Sequence, residues 1–185
     1  MLRIHAILHG SSANGPGIRS VIWLQGCTLN CPGCFNPQTH ASTGGELFSA
    51  GALADALRTT MPPETEGLTI SGGEPFEQAE LLTEFLTLFK QQSNRSVVIF
   101  SGFPKEKLIS EPSWQDCIRL ADALICGPYN RDRQPDLRHY LPSGNQTLWF
   151  VSDRYTQADF TGLPTNEVFI HPDGTVTVSG LGKIL

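Results

Sequence analysis

The sequence predicts an α/β protein: an open or partial (β/α) barrel on a largely parallel sheet, with a C-terminal hairpin. Three observations carry this expectation. Runs of β-branched and aromatic residues alternate with helical periodicity through the first two-thirds of the chain, the pattern of βα units. At 185 residues the chain falls short of the ~250 that a full eight-fold barrel takes. The segment "EVFIHPDGTVTVS" (167–179) reads as two short strands turning at Pro172-Asp173-Gly174. The length suits one core, so residues 1–185 are expected to form a single domain.

In chain order, "MLRIHAILHGSS" reads as a first strand, and "IRSVIWLQ" (18–25) as a second that leads into a cysteine-rich loop. After Gly44-Gly45, residues 46–60 place Phe48, Leu53, Ala54 and Leu57 at helical spacing. "GLTI" (67–70) is a short buried strand. From about 76 to 91, Leu81, Leu82, Phe85, Leu86 and Phe89 form one apolar helix face, with Glu80, Glu84 and Lys90 off it. "VVIF" (97–100), "DALIC" (122–126) and "TLWFV" (147–151) are further strands. Between the last two, residues 127–146 show no period. Loops of that length are commonly functional or solvated excursions, and this one gathers Arg131, Arg133, Arg138 and His139.

Composition narrows the function. Hydrophobic content of 39% and charged content of 17% are those of a soluble globular protein. Thirteen Lys and Arg against 18 Asp and Glu give a net charge of −5, which does not favour nucleic acid or anionic membranes. No apolar run approaches the ~20 residues of a membrane-spanning helix. The N-terminus has neither the apolar core nor the cleavage site of a signal peptide. Five cysteines, an odd number, without a secretion signal suit a metal better than a disulfide framework, and place the chain in the cytoplasm.

Three of those cysteines, Cys27, Cys31 and Cys34, lie in "GCTLNCPGC" (26–34). A closed structural site takes four protein ligands, whereas a reactive site keeps one position open. His40 could complete a Cys3His zinc site, and Cys117 or Cys126 could supply a fourth thiolate to a ferredoxin-like cluster. Neither of those two sits in a ligand motif, and each reads more simply as a small buried hydrophobe. The alternative is a [4Fe–4S] cluster with one iron open. "SGGEP" (71–75), just after a strand, is either a tight turn or a place where the backbone approaches a ligand closely.

The C-x3-C-x2-C spacing on a loop after a strand, followed by Gly72-Gly73-Glu74, closely resembles the radical S-adenosylmethionine superfamily. The resemblance implies a [4Fe–4S] cluster on Cys27, Cys31 and Cys34, with S-adenosyl-L-methionine on the open iron. In that family the reduced cluster gives one electron to the sulfonium, yielding methionine and a 5′-deoxyadenosyl radical. It implies further that Gly72, Gly73 and Glu74 bind the methionine ammonium, that Ser101 of "FSG" (100–102) touches ribose or carboxylate, and that the backbone at Phe35 contacts adenine. "GPGIR" (15–19), "QGC" (25–27) and "CPGCFNPQT" (31–39) resemble the anaerobic ribonucleotide-reductase-activating proteins, which install a glycyl radical on a partner enzyme. A glycyl-radical enzyme and a low-potential electron donor such as flavodoxin or ferredoxin are the implied partners. Asn14 and His40 depart from that group, which commonly has Asp and Trp there.

Two readings stand beside the activase. One is a single-cluster enzyme acting on a small molecule, closing its pocket with Arg131, Arg133, Arg138 and Asn145. The other is a non-catalytic iron–sulfur or zinc module. His5 and His9 read as structural or exposed strand residues, and His171 as a turn histidine rather than one facing the site.

Overall fold

The computed structural model describes residues 1–181, and the expected sheet and hairpin are both present. Seven strands form one mixed sheet in the order β3-β1-β2-β4-β5-β6-β7. They are β1 (Leu2–Ser11), β2 (Arg19–Leu24), β3 (Glu46–Phe48), β4 (Gly67–Gly72), β5 (Ser96–Ser101), β6 (Ala123–Cys126) and β7 (Thr147–Phe150). Strands β2, β4, β5 and β6 run parallel in the centre. Both flanks are antiparallel: β1 pairs with β2 and β3, and β7 with β6. The connection lengths explain this. A parallel return needs a crossover of a dozen or more residues, usually helical, and residues 12–18 are too few. Residues 127–146 are numerous enough but form no helix, so the chain turns back beside β6.

Helices α1 (Ala50–Thr60), α2 (Ala79–Gln92), α3 (Lys105–Ser110) and α4 (Gln115–Arg119) fill the crossovers. The helix read over 46–60 begins only at Ala50, because residues 46–48 pair with β1 as β3. Ser49 is the stop signal: its hydroxyl accepts the Ala52 N–H at 3.1 Å and caps α1. On one face of the sheet Leu53, Leu57, Leu82, Phe85 and Phe89 pack against Ile22, Leu68, Ile70, Val97 and Ile99, all buried. Each such side chain contributes roughly 1.5–3 kcal/mol by leaving water. Cys117 and Cys126 lie in this core, as small buried hydrophobes.

The opposite face is covered differently. At its N-terminal end the fully buried Arg19 plugs the sheet. Its guanidinium donates to Thr69 Oγ1 (2.6 Å), Leu68 O (2.6 Å), Pro16 O (2.9 Å), Ser96 Oγ (3.0 Å) and the Tyr155 hydroxyl (3.2 Å). Towards β6, Val98, Ala123 and Ile125 are covered by Tyr140, Leu141 and Phe160. Tyr140 and Leu141 come from the aperiodic segment 127–146, which is therefore in part a core plug; the Tyr140 hydroxyl donates to Ala13 O at 2.5 Å. The hairpin of β8 (Asn166–Ile170) and β9 (Val176–Gly180) is the second, two-stranded sheet. Glu167 ties it to the end of β1, accepting from the Ser11 hydroxyl and from the Ser12 N–H at 2.9 Å. His171 is a turn histidine as expected: its N–H donates to Thr175 O and its Nε2 lies 2.8 Å from Thr177 Oγ1.

Candidate cluster loop and adjoining cavity

The C-terminal ends of β2, β4 and β5 assemble the candidate site. Leu24 of β2 is in register with Gly72 of β4, and the ladder continues beyond both strands. Gly73 N–H donates to Leu24 O (2.8 Å) and Glu74 N–H to Gly26 O (2.9 Å), so the "GGE" stretch holds the first residues of the cysteine loop. A Cβ on Gly73 would overlap Gly26 O and sit 2.8 Å from Gly26 C; a Cβ on Gly72 would sit 2.5 Å from Leu24 N. The close approach these glycines permit is to neighbouring backbone.

The loop is closed by Gly26 N–H to Thr39 O (2.8 Å) and Cys27 N–H to His40 O (3.1 Å). Gln25, nearly fully buried, braces it from within: its Nε2 donates to Gln38 O (3.2 Å) and Ala41 O (2.8 Å). Thr28 is held through its N–H and hydroxyl by Glu77 Oε1 at 3.0 and 2.6 Å. Gly33 adopts φ 73°, and the Arg131 stem lies so near that a Cβ there would come within 2.7 Å of Arg131 Cδ. The segment 127–146 thus packs on the cysteine loop, and Tyr129 packs against Phe35 with ring centroids 4.6 Å apart and planes tilted by 45°.

Cys27, Cys31 and Cys34 are all free and half-buried. Burial raises the Cys27 and Cys34 thiols, while backbone N–H groups directed at sulfur work against it; that of Asn36 lies 3.4 Å from Cys34 Sγ. Among the described residues no three His, Cys, Asp or Glu side chains converge closely enough to hold a single metal ion, and this is true of the three thiols themselves as well as of any set that includes His40. The donor chemistry does fit an iron–sulfur cluster: three thiols on one loop, partly shielded from water, with N–H donors aimed at sulfur.

Glu74 is almost fully buried. Its Oε1 accepts from the Ser101 hydroxyl (2.8 Å) and Phe76 N–H (3.0 Å), and its Oε2 from Gly102 N–H (2.7 Å). Burial pushes this carboxyl up to about 7, partly offset by those three donors. The side chain clasps the ends of β4 and β5 to each other.

Beside the loop, on the face opposite the helices, lies a cavity of about 710 Å³, within the ~300–1,000 Å³ of ligand pockets. Trp23, Ser71 and Phe100 form its sheet wall, Phe35 and Tyr129 a second wall, and Ser179 belongs to the hairpin wall. Of the residues singled out from sequence, Cys34 and Phe35 line it. Cys27, Cys31, Gly72, Gly73, Glu74 and Ser101 lie outside that lining. Arg131, Arg133, Arg138 and Asn145 also stand clear of it, and no Asp, Glu, Lys or Arg is among its lining residues. Instead, Arg131 and Asn145 face a smaller pocket of about 310 Å³ beside Pro32. Trp23, Ser71 and Phe100 were not picked out from sequence, although strand parity carries the signal: Trp23 and Ser71 are directly paired across β2 and β4.

Comparison with known proteins bears on this arrangement directly. Residues 13–149 match the family described as the 4Fe-4S single cluster domain. The chain belongs to that family. The match covers the cysteine loop, the central parallel strands and the segment 127–146. Relatives in this comparison include the pyruvate formate-lyase-activating enzyme of Clostridium pasteurianum, 38% identical over 106 residues, covering 56% of this chain and 44% of that protein. The enzyme of the same name from Listeria monocytogenes is 37% identical over 165 residues, covering 80% of this chain and 66% of that protein. The anaerobic ribonucleoside-triphosphate reductase-activating protein of Enterobacteria phage T4 is 26% identical over 143 residues, covering 76% and 88%. The chain thus spans between under a half and about two-thirds of the length of the first two relatives, and most of the third.

Proposed function

We propose that residues 1–185 are one radical S-adenosylmethionine domain that activates a glycyl-radical enzyme. In this reading Cys27, Cys31 and Cys34 hold a [4Fe–4S] cluster, and S-adenosyl-L-methionine occupies the adjoining cavity. When bound, the cluster supplies the low-potential electron for reductive cleavage of the sulfonium. The chain's own residues do the rest. Gln25, Thr39 and His40 fix the loop, Phe35 and Tyr129 shield it from water, and Gly72, Gly73, Glu74 and Ser101 set the strand ends from which the cosubstrate is held. The relatives' names support the reaction class.

The observation that carries the reading is the group of three free, half-buried thiols on one loop at the strand ends, beside a cavity of ligand size. The activase is preferred to a small-molecule enzyme because Arg131, Arg133, Arg138 and Asn145, the residues expected to close such a pocket, stand clear of that cavity. A low-potential flavodoxin or ferredoxin would supply the electron, in the cytoplasm, where free thiols persist. Nucleic acid and membrane have no part in this reading: the net charge is −5, and no helix among the described residues is long and apolar enough to cross a bilayer.

The test is anaerobic. Reconstituted, dithionite-reduced protein is incubated with S-adenosylmethionine and 5′-deoxyadenosine is followed by chromatography, then the protein is mixed with anaerobic ribonucleotide reductase or pyruvate formate-lyase. Release of 5′-deoxyadenosine and a glycyl doublet in the electron paramagnetic resonance spectrum of one partner are expected. Cleavage with neither partner radicalised would leave the reaction class and refute the activase assignment. No cleavage would refute both.

A further inference from the structure

The hairpin presents an edge to the cavity rather than a face. A strand that faces a cavity contributes every second residue to its lining. Strand β9 contributes Thr177, Val178, Ser179, Gly180 and Leu181 in succession, and β8 contributes none. So β9 lies between β8 and the cavity, with its free long side turned inward.

The polar groups on that side follow from the hairpin register. His171 N–H donates to Thr175 O and Leu181 N–H to Thr165 O. Phe169 with Thr177 and Glu167 with Ser179 are the pairs of the same parity between them. Hydrogen-bonded pairs alternate with non-hydrogen-bonded ones in an antiparallel ladder. Val176, Val178 and Gly180 therefore turn their backbone N–H and C=O groups away from β8, and these groups have no partner among the described residues. Free edges are ordinarily blunted by charge or proline, and Val176–Gly180 carries neither. Val178 and Gly180 lie at the cavity, whereas the exposed Val176 lies beyond its lining. The edge thus leads from outside into the space that Cys34 also lines. A row of alternating donors and acceptors is matched by another main chain, as when an extended peptide adds a strand to a sheet.

We propose that the free edge of β9 docks an extended segment of the glycyl-radical partner, which enters the cavity as a third strand of the hairpin. This rests on the function proposed above and adds the manner in which the partner is held. Main-chain bonds supply the attachment, and alternate apolar side chains of the segment lie against Val176 and Val178, which stand half-exposed on the outer face.

The experiment is calorimetric titration of anaerobically reconstituted protein with a synthetic peptide, acetyl-KTVTGTVTK-amide, and with two forms N-methylated on alternate residues. Binding is expected, with methylation of one alternate set weakening it about tenfold and of the other set little. Val178→Pro removes an N–H of the free edge and should weaken the peptide about tenfold as well. Val168→Pro makes the same change on the far edge of β8 and should leave binding as it is. Hydrogen exchange in residues 175–181 should slow when the peptide is added. Equal binding of both methylated forms, or equal effects of V178P and V168P, overturns the proposal, because side chains rather than the β9 edge would then hold the peptide. Absence of binding overturns it too. A glycyl doublet formed on the partner without such binding would leave the proposed function standing and this proposal refuted.

Discussion

Two glycines at neighbouring strand ends are predicted to respond very differently to the same methyl group. Gly73 and Gly102 both have backbone angles that an alanine can adopt, so strain in φ does not enter. At Gly73 the added Cβ overlaps Gly26 O and lies 2.8 Å from Gly26 C and 3.1 Å from Gly26 N, a backbone that cannot rotate away. To relieve this, β4 and the start of the cysteine loop must separate. That weakens the bonds from Gly73 N–H to Leu24 O and from Glu74 N–H to Gly26 O. Overpacking costs about 1–3 kcal/mol and each of the two weakened bonds about 1 kcal/mol, so Gly73→Ala should cost about 3–5 kcal/mol. With a urea slope of about 2 kcal/mol/M, the unfolding midpoint falls by about 1.5–2.5 M. At Gly102 the Cβ meets the terminal carbon of Leu29, which can swing aside, and the cost should be about 1 kcal/mol. Urea titrations of both variants, with iron bound after reconstitution as a second readout, make the comparison. Equal midpoints, or a Gly73→Ala variant as stable as the wild type, would refute the claim that this glycine is required for backbone packing.

Other outcomes follow from single features. Arg19→Ala leaves Thr69, Ser96 and Tyr155 with lost partners inside the sheet and should cost more than about 3 kcal/mol by chemical denaturation; a loss under about 1 kcal/mol would contradict the plug. Because burial raises the folded-state Glu74 carboxyl to about 7, the metal-free chain should be most stable, as far as this group is concerned, below the ordinary carboxylate value of 4.5. It should lose that stability as pH rises from 4.5 to about 7, by up to about 3 kcal/mol, and Glu74→Gln should flatten that fall in pH-dependent urea titrations. Burial raises the Cys117 thiol to about 12, so iodoacetamide should modify the three loop cysteines and leave Cys117 intact in the native protein, as read by mass spectrometry. Alanine at Cys27, Cys31 or Cys34 should abolish iron binding, and alanine at Cys117 should not.

Much of this architecture was legible in the sequence, for identifiable reasons. Strands β4, β5 and β6 are short apolar runs bounded by turn residues, and α2 shows its apolar stripe without ambiguity. The cysteine loop and "GGE" stretch carry their spacing openly. The parts that escaped depend on tertiary pairing. Residues 46–48 have helical spacing by coincidence and are a strand because β1 offers a free edge. The antiparallel flanks follow from connection geometry, which periodicity does not encode. Glu74 illustrates the same limit at the site: its proximity to the cysteine loop could be read, but not that Ser101, Phe76 and Gly102 would occupy both of its oxygens. The bulge of β1 escaped as well: it puts Ala6 beside His5 on the cavity side, and nothing in "LRIHAIL" announces it.

The most direct test of the account is spectroscopic. Iron and sulfide are determined on anaerobically reconstituted protein, and the electron paramagnetic resonance spectrum of the reduced cluster is recorded with and without S-adenosylmethionine. The account predicts about four irons per chain and a spectrum that shifts when the cosubstrate is added, because one iron is open to it. Zinc in place of iron, or a reduced-cluster spectrum indifferent to S-adenosylmethionine, would contradict it.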